Sequence, residues 1–176
     1  NWFEGKYGVT IDPETEVLTL IGCQEGTAHL PLALLDPGDI ALLQDPSYPS
    51  HSGGIHLAGG EIYWLPTLAE NDFLPVFADI PPDVLEKAQM MVLSYPHNPT
   101  TALAPLSFFE EAVQFCKENA IALVHDFPYG DMVFSGSPPA PSVLQADRDR
   151  EIAIEFFTFS KSYKYNRSEE RFSRNA

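Results

Sequence analysis

Short apolar runs alternate along the chain with longer amphipathic segments, and this alternation predicts the secondary structure. Runs that are apolar at nearly every position are typical of strands covered on both faces of a sheet. The predicted strands are residues 17–21, 40–43, 62–65, 90–94, 122–125 and 152–158. The predicted helices are residues 26–35, 47–58, 82–88 and 106–119.

The segment 106–119 has the clearest helical period. Its apolar residues recur at helical spacing and form one stripe: Phe108, Phe109, Ala112, Val113, Phe115 and Cys116. Strands and helices that alternate at this spacing predict an α/β domain, a three-layer α/β/α fold with a mostly parallel sheet. In such sheets, ligands bind at the carboxyl ends of the strands.

Composition places the chain among globular proteins. It has 176 residues, 44% hydrophobic and 20% charged, which suits one domain with a sizeable core. No apolar run approaches the roughly 20 residues of a membrane span. The chain begins with Asn1 and shows no signal-peptide pattern, so we expect it to be part of a longer protein.

The charge is strongly negative and unevenly spread. The net charge is −15, and residues 1–147 carry only three bases against 20 acids. An acidic surface repels phosphate backbones, so neither a nucleic acid nor a membrane is an expected partner. Two cysteines, Cys23 and Cys116, imply no disulfide framework, and we expect a cytoplasmic location.

Four polar residues stand near the ends of predicted strands and match the needs of pyridoxal 5′-phosphate (PLP). They are Asn98, Asp126, Tyr129 and Lys161. The aldehyde of PLP needs a lysine amine, and its ring nitrogen needs a carboxylate that keeps the ring protonated. Its phenolic oxygen needs hydrogen-bond donors, and its phosphate needs backbone N–H groups such as those that begin a helix. Residues 22–26 lie between a predicted strand and a helix and offer such groups.

Each of these residues has an ordinary structural explanation when it is taken alone. Lys161 is consistent with a surface lysine, Asp126 with a helix cap, and Asn98 with an Asn-Pro turn. Their joint occurrence in this order is what favours a PLP site. Two other kinds of site are disfavoured: the histidines lack a His-x-x-x-His spacing for metal, and a Gly-x-Ser-x-Gly nucleophile turn is absent.

A series of short motifs in order along the chain extends this pattern. They are Tyr7-Gly8-Val9, Asp12-Pro13-Glu14-Thr15-Glu16-Val17, Gly22-Cys23-Gln24-Glu25-Gly26, Leu35-Asp36-Pro37-Gly38-Asp39, Asp45-Pro46-Ser47-Tyr48-Pro49, Tyr95-Pro96-His97-Asn98-Pro99-Thr100, Asp126-Phe127-Pro128-Tyr129 and Thr158-Phe159-Ser160-Lys161-Ser162-Tyr163. With them the chain resembles a fold-type I PLP-dependent aminotransferase of class I/II. The resemblance is greatest to the LL-diaminopimelate and aspartate aminotransferase-like branch, and it runs from about residue 3 to residue 163.

The resemblance implies a role for each motif residue. Lys161 is similar to the Schiff-base lysine, which also carries the proton between the substrate and the cofactor. Asp126 is similar to the partner of the ring nitrogen, and Asn98 and Tyr129 to the donors to the phenolic oxygen. The remaining cofactor-binding residues are implied at the phosphate or at the ring face: Cys23, Gln24 and Glu25 in the phosphate loop, Thr158 and Ser160 beside it, and His51 stacked on the ring.

The chain departs from the family pattern after Tyr163. The family has an arginine eight residues after the lysine, where this chain has Glu169, and residues 164–176 match nothing in the family. We therefore expect residues 1–163 to form a partial large domain and residues 164–176 a frayed tail. The family's small domain, its N-terminal segment and the antiparallel strand after the lysine are not recognisable.

These comparisons lead to a functional hypothesis. The resemblance implies a transaminase that moves an amino group between an amino acid and a 2-oxo acid and is a homodimer in its full-length form. This chain alone is expected to be inactive, and either marginally stable or prone to oligomerise. Two alternatives stay open: a non-catalytic α/β module, and a PLP lyase or decarboxylase on the same fold.

Overall fold

A computed structural model describes residues 2–134 and 136–162 of the chain. Within these ranges the chain forms five strands that make one sheet. The strands are β1 (Ile40–Asp45), β2 (Glu61–Pro66), β3 (Ala88–Ser94), β4 (Ala122–Asp126) and β5 (Ala153–Phe156). The helices are α1 (Trp2–Tyr7), α2 (Cys23–His29), α3 (Pro31–Leu34), α4 (Pro49–Leu57), α5 (Pro82–Leu85), α6 (Leu106–Glu118) and α7 (Phe159–Ser162).

The sheet is parallel at every pairing, in the order β2-β1-β3-β4-β5. The chain places β2 on one side of β1 and then crosses to place β3 on the other. This reversal makes a crevice outside the carboxyl ends of β1 and β3, the position where open α/β sheets bind ligands. The polar residues predicted from the sequence follow β3, β4 and β5 at that same edge.

Helices cover both faces of the sheet, as predicted for a three-layer α/β/α fold. On one face, Ala41, Leu43 and Val124 pack with Ile55 of α4 and with Phe156. Core residues on the other face meet the apolar stripe of α6, in a cluster that includes Leu42, Met91, Leu93, Leu123, Phe108, Phe109 and Val113. Both faces of the central strands are buried, which explains why these strands are apolar at nearly every position.

The strand predicted over residues 17–21 is wrong. These residues form no strand in the structure, and the side chains of Val17, Leu18 and Ile21 are 55%, 82% and 70% exposed. A strand needs a hydrogen-bonded neighbour, and no described residue pairs with this segment. The apolar pattern of residues 17–21 is typical of a strand, but a local pattern cannot show whether a neighbouring strand is present to pair with it.

The other predicted elements are confirmed with shifted ends. The predicted helix 26–35 begins earlier, at Cys23, and is divided into α2 and α3. The predicted helix 82–88 stops at Leu85, because Ala88 already belongs to β3. The short helix α1 was not predicted; it packs on the domain through Tyr7, whose ring lies 5.9 Å from that of Phe127. No helix among the described residues is long and apolar enough to cross a membrane.

Two glycines allow the helices near the site to approach closely. A Cβ atom on Gly54 of α4 would lie 2.8 Å from the backbone oxygen of Ala28 in α2. A Cβ atom on Gly26 of α2 would lie 2.2 Å from the ring of Phe156 in β5. Real Cβ atoms do not come this near. A side chain at Gly54 would therefore push α4 away from α2, and one at Gly26 would push α2 away from β5. The two glycines allow α2 to pack closely between α4 and β5.

Candidate active site

The carboxyl ends of β4 and β5 bring Asp126, Tyr129 and Lys161 into one region. Asp126 is the last residue of β4, and Tyr129 follows in the turn after it. Lys161 lies in α7, shortly after β5, and its Nζ atom is 5.8 Å from the centre of the Tyr129 ring. The Lys161 side chain is exposed, whereas Asp126 is buried. A reactive amine and a buried carboxylate therefore share one edge of the sheet.

Asp126 is held by two hydrogen-bond donors from the helices on its face of the sheet. His51 Nε2 donates to Oδ2 over 3.0 Å, and the Cys23 thiol donates to Oδ1 with an Sγ–O distance of 3.6 Å. Burial, and then the negative charge of Asp126, raise the pKa of the Cys23 thiol. The thiol therefore keeps its proton and serves as a donor. Asp126 is fixed in direction by α2 on one side and α4 on the other.

Tyr129 lies within the electrostatic reach of Asp126 and of a residue that the sequence did not single out, Tyr48. Burial raises the pKa of Tyr129, and the charges of Asp126 and Tyr48 raise it further. The hydroxyl of Tyr129 is therefore a protonated donor at neutral pH. The ring of Tyr48 also meets that of His51 edge-on, with 5.9 Å between ring centres. Its signal in the sequence was its place in the motif Asp45-Pro46-Ser47-Tyr48-Pro49, which gave it no role of its own.

His51 makes a contact within the protein that the sequence did not predict. The sequence predicted a ring lying on the face of the cofactor. In the structure, His51 is 3% exposed and its Nε2 is bound to Asp126. The partner could not be foreseen, because 75 residues separate the two along the chain.

Glu25, of the predicted phosphate loop, is already engaged within the protein. Its carboxylate accepts a 2.7 Å hydrogen bond from Ile21 N, and its own N–H donates to Gly22 O. Gly22, with a φ of 84°, makes the turn into α2. Glu25 therefore shapes the loop, while Cys23 and Gln24 hold the first positions of α2, where backbone N–H groups have no partner within the helix.

Asn98, Thr158 and Ser160 are half-buried near the same strand ends. Ser160 N donates to Thr158 Oγ1 over 3.2 Å, so these two residues form one compact turn before Lys161. Glu169 and the frayed tail expected over residues 164–176 lie outside the described residues.

The loop that carries Asn98 is anchored by His97, another residue that the sequence did not single out. His97 Nε2 donates to Pro46 O over 3.1 Å, and Nδ1 lies 2.7 Å from Thr100 Oγ1. Burial lowers the pKa of His97, so the ring is neutral at neutral pH and Nδ1 accepts from Thr100. The neutral ring thus joins the loop after β3 to the residue that follows β1.

A parallel α/β sheet with an amine, a buried carboxylate and a phenol gathered at its carboxyl edge has the features of a PLP-dependent transferase. The chain belongs to the aminotransferase class I and II family, whose model matches residues 1–166. PLP is the cofactor of this family. The three-layer fold and the resemblance predicted from the sequence are thereby confirmed.

Two named relatives show which kind of aminotransferase within the family this chain resembles. The chain is 48% identical over 162 residues to the LL-diaminopimelate aminotransferase of Dehalococcoides mccartyi, with 92% of this chain and 42% of the relative covered. It is 47% identical over 163 residues to that of Moorella thermoacetica, with 93% and 42% covered. The chain therefore spans about two fifths of the length of these relatives.

Solved structures agree with this likeness. The substrate-bound structure of BacF from Bacillus subtilis superimposes with a TM-score of 0.88 at 44% identity, over 93% of this chain and 41% of that one. A probable N-succinyldiaminopimelate aminotransferase from Thermus thermophilus gives a TM-score of 0.86 at 41% identity, over 93% and 44%. The described fold is therefore that of one portion of these aminotransferases.

Proposed function

We propose that the whole protein to which this chain belongs is a PLP-dependent transaminase that moves an amino group between an amino acid and a 2-oxo acid. The names of the 48% and 47% identical relatives support LL-diaminopimelate as the amino-acid substrate. The observation that carries the proposal is the 5.8 Å approach of Lys161 Nζ to the Tyr129 ring, beside the buried Asp126.

The residues at this edge of the sheet fit the chemistry of PLP. Its aldehyde would meet Lys161, its ring nitrogen Asp126, and its phenolic oxygen Asn98 and Tyr129. Its phosphate would meet the backbone of Cys23 and Gln24, with Glu25 shaping the loop and with Thr158 and Ser160 beside it. When bound, PLP supplies an electron-accepting ring that stabilises negative charge on the substrate α-carbon.

Each side chain has one task in this proposal. Lys161 is exposed, and its amine would take a proton from one carbon and return it to another. Asp126 is oriented by His51 and Cys23, which both donate to it, and a carboxylate at this place would favour a protonated ring nitrogen. His51, predicted to stack on the ring, is assigned here to orienting Asp126. Tyr48 is the exposed aromatic ring next to His51 and is available to cover the ring face.

The chain by itself is expected to hold PLP weakly and to lack turnover, as residues 1–163 correspond to a partial large domain. A homodimer is proposed for the whole protein, supported by the exposed apolar residues beside β5. A cytoplasmic location is proposed as well, and the two free cysteines, Cys23 and Cys116, are consistent with a reducing compartment.

The test is an absorbance titration of the purified chain with PLP, followed by borohydride reduction and peptide mapping. We expect a yellow protein whose label lies on Lys161. The Lys161→Ala variant should lose both the colour and the label. The matched control is Lys87→Ala, which removes an exposed lysine from the opposite end of the sheet, just before β3.

Two outcomes would contradict the proposal. A colourless chain would favour the alternative of a non-catalytic α/β module. Label spread over Lys6, Lys87 and Lys117 would show that PLP reacts with any accessible amine and that no site is formed.

A further inference from the structure

A second polar cluster lies on the opposite face of the sheet from Asp126 and is fully enclosed. It consists of His125, Glu155 and Ser142, whose side chains are 0%, 3% and 0% exposed. His125 precedes Asp126 on β4, and Glu155 is its direct neighbour across the sheet on β5. Successive strand residues point to opposite faces, so none of these side chains reaches the candidate cofactor site.

His125 joins three strands at one level of the sheet. Its Nδ1 lies 2.9 Å from Glu155 Oε2 on β5, and its Nε2 donates over 3.1 Å to the backbone oxygen of Tyr95, directly after β3. These three strands are the ones that deliver Asn98, Asp126 with Tyr129, and Lys161. One side chain thus connects the supports of all four residues.

The polar atoms of both members of the pair have hydrogen-bond partners within the protein. Glu155 accepts from Val143 N over 3.0 Å and from Ser142 Oγ over 2.9 Å. Ser142 Oγ itself accepts from Leu144 N, so its hydrogen is directed at Glu155. Both nitrogens of His125 face oxygen atoms, of Glu155 on one side and of Tyr95 on the other.

The surroundings keep water out of this pair. The rings of Phe109 and Phe127 lie 4.7 Å and 4.8 Å from the ring of His125. The other titratable group nearby is Tyr7 of α1, whose pKa is raised by burial and then by the charge of Glu155. In such a place the two side chains depend on each other, because either one alone would leave polar atoms buried without this partner.

We propose that His125 and Glu155 are positioning residues of the cofactor site, which set the position of Asp126 relative to Lys161 by fixing the ends of β3, β4 and β5. The expected effect of this pair on PLP labelling rests on the proposed function. Its expected effect on the strands does not depend on PLP. Loss of the Glu155 charge releases the end of β5 that leads to Lys161. The start of β5 is unaffected.

The start of β5 supplies a matched control. There the buried Asp147 accepts from Ile152 N and Ala153 N at 3.0 Å and 2.9 Å, and pairs with Lys117 at 3.1 Å. Asp147→Asn and Glu155→Gln each remove one buried carboxylate that anchors the same strand without changing its shape. They differ in which end of the strand is released.

The experiment is amide hydrogen exchange on the 176-residue chain without PLP, followed by PLP labelling. Phe127 N donates to Phe156 O at the site end, and Leu123 N to Ile152 O at the other end. Glu155→Gln should speed exchange of the Phe127 amide about tenfold and leave Leu123 nearly unchanged. Asp147→Asn should speed exchange of the Leu123 amide about tenfold and leave that of Phe127 nearly unchanged. Ser142→Ala removes only one donor to Glu155, so it should speed exchange of the Phe127 amide by a smaller factor than Glu155→Gln does.

Labelling by PLP and borohydride then tests the consequence at the site. Glu155→Gln should move most of the label away from Lys161, while Asp147→Asn keeps it there at an equal loss of melting temperature. Equal exchange changes in both variants, or label that stays on Lys161 in Glu155→Gln, would overturn the inference. If the unaltered chain fails to label Lys161, the proposed function fails, and the exchange pattern alone decides whether the pair fixes the strands.

Discussion

At the scale of single residues, three buried carboxylates are each held by donors from outside their own strand or turn. Asp126 is held by Cys23 and His51, Glu155 by Ser142 and Val143, and Asp147 by the start of β5. A charge-assisted hydrogen bond to a buried carboxylate contributes more than a neutral one. Replacing one of these carboxylates by its amide should therefore have a measurable effect on binding or on stability.

Asp126→Asn tests the role assigned to this carboxylate. The amide keeps the shape but carries no charge to favour a protonated ring nitrogen, so PLP should bind about tenfold to hundredfold more weakly. An absorbance titration measures the change. The control is Asp45→Asn, which removes an exposed carboxylate from the end of β1, a strand that β3 separates from β4. An unchanged affinity in Asp126→Asn would show that this residue does not face the ring.

Asp147 should make the stability of the chain depend on pH in acid. Burial raises the pKa of Asp147, but the N–H groups of Ile152 and Ala153 and the Lys117 ammonium lower it by more, so the net pKa is below the ordinary value of 3.8. A lowered pKa stabilises the fold above about pH 4, and this stability is lost as the pH falls through the lowered value.

Urea unfolding at several acidic pH values measures this effect. The free energy of unfolding of the unaltered chain should fall more steeply as the pH is lowered below about 4 than that of Asp147→Asn. Parallel slopes in the two proteins would mean that Asp147 has the same affinity for protons in the folded and unfolded chains.

At the scale of elements, the hydrophobic pattern predicted the strands and helices whose partners lie within the chain. The central strands were found because both of their faces are buried and every position is apolar. Residues 17–21 carry the same signal but form no strand, since a strand depends on a neighbour that a local pattern does not describe. The candidate site follows the same rule. Lys161, Asp126, Tyr129 and Asn98 were predicted from their order along the chain, whereas the contacts of His51, Cys23 and Glu155 join distant segments that no local pattern describes.

Two adjacent glycines of α4 give a matched test of how closely it packs on α2. Gly54→Ala places a methyl group against the Ala28 backbone oxygen and should destabilise the fold by about 1–3 kcal/mol. Gly53→Ala meets nothing within 4 Å and should stabilise the helix by up to about 1 kcal/mol. Thermal unfolding of both variants measures the difference. A Gly54→Ala protein as stable as Gly53→Ala would show that α2 and α4 are not in close contact.

At the scale of the whole molecule, the sheet has one side that is apolar and uncovered among the described residues. β5 is the last strand in the order of the sheet, and Leu18 lies 82% exposed in the segment before α2. An uncovered strand edge beside apolar side chains is a surface at which chains associate. The chain is therefore expected to oligomerise as its concentration rises.

Leu18→Lys should reduce this association, because it places a charge in the exposed apolar segment. The control is Leu68→Lys, at a 49% exposed leucine just after β2, on the other side of the sheet. Sedimentation velocity over a range of concentrations measures both. A chain that stays monomeric throughout and melts cooperatively at high temperature would contradict the expectation.

The connection of His125 to Glu155 also has a consequence for protein synthesis. The two residues are 30 positions apart, so the ribosome delivers His125 first. At translation rates of roughly 5–20 residues per second, the interval is about 2 to 6 seconds. During that time β4 can join the sheet only with a His125 ring whose Nδ1 lacks its Glu155 partner. Newly made chains should therefore stay open to chaperones until β5 emerges, and slow codons between residues 126 and 155 would prolong that exposure.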